Sequence, residues 1–85
     1  MNDQLIQDCF TKIYVELKNA IEKFPSFHSL HEGYAVVLEE VDELWDQVKT
    51  RQGGRIPMAI EKECIQIASM AIRIIIDCQK EDFQR

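Results

Sequence analysis

The chain lacks an excess of positive charge: ten Lys and Arg stand against fifteen Asp and Glu, a formal net charge of -5. A duplex nucleic-acid binder or a protein held on an anionic membrane needs a basic face, so both classes are disfavoured. A nucleotide stays admissible, because a metal can mediate between acidic protein and acidic phosphate. Paired cysteines are also missing. Cys9, Cys64 and Cys78 are odd in number, sit among apolar neighbours and form no C-x-x-C pair, which predicts reduced thiols in a cytosolic core. No long apolar run exists either. The most apolar stretch, Met58 to Cys78, is broken by Glu61, Lys62, Glu63, Gln66, Ser69, Arg73 and Asp77, whereas a membrane span needs about 20 mostly apolar residues. The opening Met1-Asn2-Asp3-Gln4 is polar and acidic rather than basic then apolar, so no signal peptide is expected and the protein is expected to be cytoplasmic.

What is present describes one small domain, residues 1–85. Hydrophobic residues make up 46% and charged ones 29%, a balance that excludes general disorder. A chain this short buries only about 60–65% of its unfolded surface, so its single core is marginal and a partner subunit would help.

The apolar residues recur with helical period. Leu5, Ile6, Cys9, Phe10, Ile13, Leu17, Ala20, Ile21 and Phe24 are spaced by threes and fours, predicting a first helix over about 3–24 that Pro25 stops. Ser29 and Glu32 fit a capping box at the start of a second helix, about 30–52. Its apolar side is Leu30, Tyr34, Val37, Leu38, Val41, Leu44, Trp45 and Val48, with Trp45 expected in the core. Gly53 is a natural terminator in left-handed geometry, and Pro57 suits the first turn of a third helix over about 57–80. That helix is apolar nearly all round, so it is expected to be buried on most sides, partly by another subunit.

Chemistry concentrates in Glu39-Glu40-Val41-Asp42-Glu43. Glu40 and Glu43 are three apart, neighbours on a helix surface at the edge of the apolar stripe, while Asp42 and Asp46 point outward. Adjacent carboxylates repel unless a cation lies between them, and a hydrated Mg²⁺ held together with substrate phosphates is the usual one. On the third helix Glu63, Gln66, Met70 and Asp77 share one side of a greasy rod, with Arg73 close by. Glu40, Glu43 and Glu63 therefore ask for a positive charge where the two helices meet. Asp77, about 21 Å along the axis from Glu63, cannot share that charge within one subunit and is expected at a helix end or between subunits. Gln66, one turn from Glu63, can.

His31 to Val48 followed by Glu63 to Arg73 resembles the short, MazG-like branch of the all-α NTP pyrophosphatases, whose pattern is EExxE, a spacer, then ExxD. The resemblance covers about half the chain. It implies an all-α homodimer or homotetramer in which three helices per chain assemble into a four-helix-bundle-type core. It also implies Mg²⁺-dependent cleavage of nucleoside triphosphates to the monophosphate and pyrophosphate. Carried over, Glu40, Glu43 and Glu63 match metal ligands, and Gln66 stands where the family has aspartate; its carbonyl can coordinate but brings no charge. The rival reading is a non-catalytic helical dimerisation or nucleotide-binding module with a degenerate metal site.

Other polar residues offer weaker signals. His28 and His31 are three apart and could hold a transition metal, but no third ligand has suitable spacing; His31 could instead contact base or phosphate. Lys49, Arg51, Arg55 and Arg73 are candidates for phosphate contact, with Arg55, beside the glycines, foremost.

Overall fold

A computed structural model describes residues 2–85; Met1, the first residue of the expected domain, lies outside them. The fold is all-helical: α1 spans Asp3–Lys23, α2 Leu30–Val48 and α3 Pro57–Asp77, with one short 3-10 turn at Gln52–Gly54. Each start has a local cause. The Asn2 side chain accepts from the Gln4 N–H, and the Ser29 hydroxyl accepts from the Glu32 N–H, relieving free donors at both helix starts. Pro57 fills the first position of α3, where its missing N–H costs nothing. Phe24 is extended, with φ -126° and ψ 143°, as Pro25 requires of its predecessor.

The far ends fall short of expectation. α2 stops at Val48, four residues before 52, because Lys49 closes the helix and the Arg55 guanidinium takes the carbonyls of Val48 and Thr50. No residue among those described has positive φ, so Gly53 does not end α2 in left-handed geometry; it lies in the separate 3-10 turn. α3 stops at Asp77, three residues before 80. Beyond it the chain turns back: the Gln84 N–H donates to His28 O at 2.6 Å, the Leu30 N–H donates to Gln84 O at 3.1 Å, and Phe83 is buried.

α3 is the central element, with α1 and α2 each packed along it and not against one another. Two close approaches set this arrangement. Ser69, fully buried, donates its hydroxyl to Ile13 O of α1 at 3.3 Å. Gly33 of α2 faces Ile74 so closely that an added Cβ would lie 2.8 Å from Ile74 Cγ1. That contact turns the Gly33, Val36, Val37 and Glu40 side of α2 toward α3, and leaves Tyr34, Leu38, Val41 and Trp45 outside. Trp45 is 57% exposed: nothing among the described residues covers that face, so the expected core position is not found among them. Cys9 and Cys64 are likewise exposed and Cys78 half-buried, so the thiols are free but mostly outside the core.

The buried apolar residues are Ala20, Phe27, Met70 and Phe83. The result is an open arrangement in which α1 and α2 do not meet. Its radius of gyration is 14.5 Å, against about 12 Å for a compact domain of this length. Its accessible surface is 6513 Å², against about 5,200 Å² for a compact monomer of this mass. No helix among the described residues is long and apolar enough to cross a membrane.

Candidate metal and nucleotide site

Because α1 and α2 pack on α3 without touching one another, a cleft of about 630 Å³ opens between them, within the range of small-molecule sites. Glu40, Glu43 and Glu39 line it from α2, and Lys62, Glu63, Gln66, Met70 and Arg73 from α3. α1 contributes Glu16 and Ala20, with Phe24 and Phe27 beyond them.

Glu40, Glu43 and Glu63 each bring a carboxylate oxygen within 4.8 Å of the others. Helical spacing places the first two on one face of α2, and the Gly33–Ile74 contact brings that face down onto α3 beside Glu63. Glu40 holds its proton up to about pH 7, first because it is partly desolvated and then because Glu63 and Glu43 lie beside it. Glu43 is also raised above the ordinary carboxylate range, chiefly by its contact with the Glu63 carboxyl group. Glu63 Oε2 is buried and no N–H or hydroxyl group reaches it, so a proton shared with Glu40 or Glu43, or a bound cation, is what can balance it. Such a group is costly unless a cation or donor reaches it. Three hard oxygens on that scale suit Mg²⁺, whose oxygen shell is about 4.2 Å across. The donor set therefore fits the ion that the sequence pattern implies.

Of the remaining predicted site residues, Gln66 and Arg73 line the cleft and His31, Lys49 and Arg55 do not. Gln66 lines the cleft, but its Nε2 donates to Glu16 Oε1 at 2.8 Å. His31 is exposed in the first turn of α2, about 13 Å along the axis from Glu40. Lys49 pairs with Asp46 at 3.2 Å past the other end of α2. Arg55 caps the C-terminal carbonyls of α2, which like a cation there. None of these three lines the cleft. Arg73 does, yet its Nη1 and Nη2 donate to Ala20 O and Phe24 O. Asp77 is the last residue of α3, a helix end as expected; it is 2% exposed and accepts from the Phe27 N–H at 2.8 Å. Among the described residues His28 and His31 join no group of three candidate ligands.

Lys62 and Glu16 also line the cleft; a Lys next to Glu63 and a polar position on α1 carry no spacing signal that would have set them apart. Comparison with family models, with curated proteins and with solved structures finds no match.

Proposed function

We propose that the chain is a Mg²⁺-dependent nucleoside triphosphate pyrophosphohydrolase, releasing the monophosphate and pyrophosphate. The observation that carries this reading is the convergence of Glu40, Glu43 and Glu63 from two helices at the edge of a nucleotide-sized cleft, with a buried Glu63 oxygen left unsatisfied. The EExxE and Glu63-x-x-Gln66 pattern agrees with it. Bound Mg²⁺ would supply positive charge for the triphosphate oxygens and the water that attacks them.

The chain's own groups have separable tasks. Glu40, Glu43 and Glu63 hold the cation, and Lys62 offers a charge to the phosphates. A carboxylate left outside direct coordination accepts the proton of the attacking water. The apolar Phe24, Phe27 and Met70 side of the cleft excludes water from the rest of the ligand. The exposed face of Tyr34, Leu38, Val41 and Trp45, together with about 1,300 Å² of surface beyond that of a compact monomer, supports assembly as a homodimer or homotetramer. A cytoplasmic location accords with the free thiols.

A second reading keeps the helices and drops the chemistry, a non-catalytic dimerisation or nucleotide-binding module. Its support is Gln66, which adds no charge to the site and is hydrogen-bonded to Glu16. The two are separated by incubating the protein with a panel of ribo- and deoxynucleoside triphosphates and Mg²⁺, measuring pyrophosphate against orthophosphate, with Glu43→Ala alongside. Pyrophosphate release that the substitution abolishes supports the enzyme. Folded protein without turnover favours the module.

A further inference from the structure

Gln66 occupies a decisive position with an ambivalent side chain. Its carboxamide can present either an oxygen, which a hard cation accepts, or an NH₂, which repels it. Nothing in a glutamine's own structure selects between the two, since they are related by a half-turn of one soft torsion. The selection must come from a neighbour.

That neighbour is Glu16, fifty residues away in the chain and half-buried on α1, across the cleft from α2. A carboxylate only accepts hydrogen bonds, so the NH₂ end of Gln66 must face it, at 2.8 Å. The carbonyl oxygen is then turned away from α1. Gln66 and Glu63 are one helical turn apart on α3, and both line the cleft together with Glu40 and Glu43.

We infer that Glu16 is a positioning residue: by holding the Gln66 NH₂ it directs the Gln66 carbonyl oxygen into the cleft as a neutral fourth oxygen donor beside Glu40, Glu43 and Glu63. This rests on the reading of those three glutamates as a divalent-cation site. Glu16 takes no part in coordination itself, as it stands outside the group of converging carboxylates. Neighbours that orient a ligand without touching the metal typically change affinity by about 10- to 100-fold.

The test is calorimetric titration of the full chain with MnCl₂ or MgCl₂ alone, on the unaltered protein, Glu16→Ala, Gln66→Leu, their double variant and Glu40→Gln. Glu16→Ala is expected to weaken binding about tenfold, Gln66→Leu to weaken it at least as much, and the double variant to be no weaker than Gln66→Leu. Glu16→Gln, which keeps volume and can present either end of its amide, is expected to fall between. A structural clasp between α1 and α3 would lower stability but leave metal affinity intact, so the inference is overturned if Glu16→Ala binds like the unaltered protein. It is also overturned if the losses add, since Glu16 would then act through its own charge. Loss of binding in Glu40→Gln alone leaves the metal site standing and removes only the role of Glu16. No binding by the unaltered protein removes both. Should Glu16→Ala unfold, the Gln66 side-chain NH₂ resonances of the unaltered protein decide. They are expected to stay in place on adding Mg²⁺ while the adjoining carbonyl carbon shifts, and an unmoved carbonyl contradicts the inference.

Discussion

The two ends of α3 treat charge in opposite ways. At one end Asp77 and Arg73, 2% and 3% exposed, are surrounded by partners. Asp77 accepts the Phe27 N–H, lies 3.4 Å from Arg73 Nε without hydrogen-bond alignment, and pairs with Lys80 at 3.3 Å. Arg73 in turn donates to the last carbonyls of α1 and lies over the Phe27 ring at 5.6 Å. At the other end three glutamates meet with no cation within the group, and one oxygen is left without a donor. The same helix α3 carries both sets. Each end leaves one buried atom without a hydrogen bond, Arg73 Nε and Glu63 Oε2, but opposite charges surround the first while only like charges converge on the second, so the glutamate end is where a cationic ligand is proposed to bind.

The difference can be broken most strongly at the balanced end. Asp77→Ala strands a buried guanidinium and an N–H of the α1–α2 link, and is expected to cost about 3–5 kcal/mol, seen by urea unfolding followed by circular dichroism. With so small a core this approaches the whole stability of the chain. Phe83→Ala, which unseats the returning C-terminal segment from the same end, is expected to cost about 3 kcal/mol. Both losses should be independent of Mg²⁺, since neither residue reaches the glutamates.

Gly33→Val tests how the ends are joined. Its side chain would collide with Ile74 and push α2 from α3, costing about 1–3 kcal/mol by overpacking. Divalent-cation binding should weaken along with stability, because Glu40 and Glu43 ride on α2. A variant equally unstable but with unchanged binding would show that the Gly33 contact does not set the site.

The smallest effect sharpens the contrast through pH. Glu40 titrates near 7 when folded against an ordinary 4.5, so between those values the folded state binds more protons than the unfolded. The contribution of Glu40 to the stability of the metal-free protein is therefore fully present below about pH 4.5 and lost as pH rises through 7. Glu40→Gln should remove that loss, gaining about 1 kcal/mol at pH 8 over pH 5 once solvent screening of a partly open side chain is allowed for. Parallel urea curves of the two proteins at both pH values measure it.

The helices and their starts were legible in the sequence, because period, Ser29, Pro25 and Pro57 act locally. Glu40, Glu43 and Glu63 were legible as a group because their faces follow from helical geometry. Their ends were less so: α2 is cut short by Arg55, whose guanidinium arrives from seven residues beyond Val48. The rotation of α2 escaped the apolar pattern, which put Trp45 inward, because one glycine chose the contacting face; a glycine within a helix that needs no turn was the available signal. Asp77 was legible as a helix-end residue, but Arg73 looked like a phosphate contact, since its partners are backbone carbonyls at the end of α1 that no spacing rule reveals. The C-terminal return, with its single buried Phe83, has no periodicity to read.

The central claim is that the three glutamates are an incomplete cation site, and the most direct measurement is the thermal midpoint of the unaltered chain and Glu63→Gln with and without Mg²⁺. The account predicts that Mg²⁺ raises the midpoint of the unaltered chain, by mass action on the folded state alone. It predicts that Glu63→Gln melts a few degrees higher than the metal-free original, since an amide NH₂ now faces Glu40 and Glu43, and no longer responds to Mg²⁺. A midpoint indifferent to Mg²⁺ in the unaltered chain, or a Glu63→Gln variant that melts lower and still responds, would contradict it.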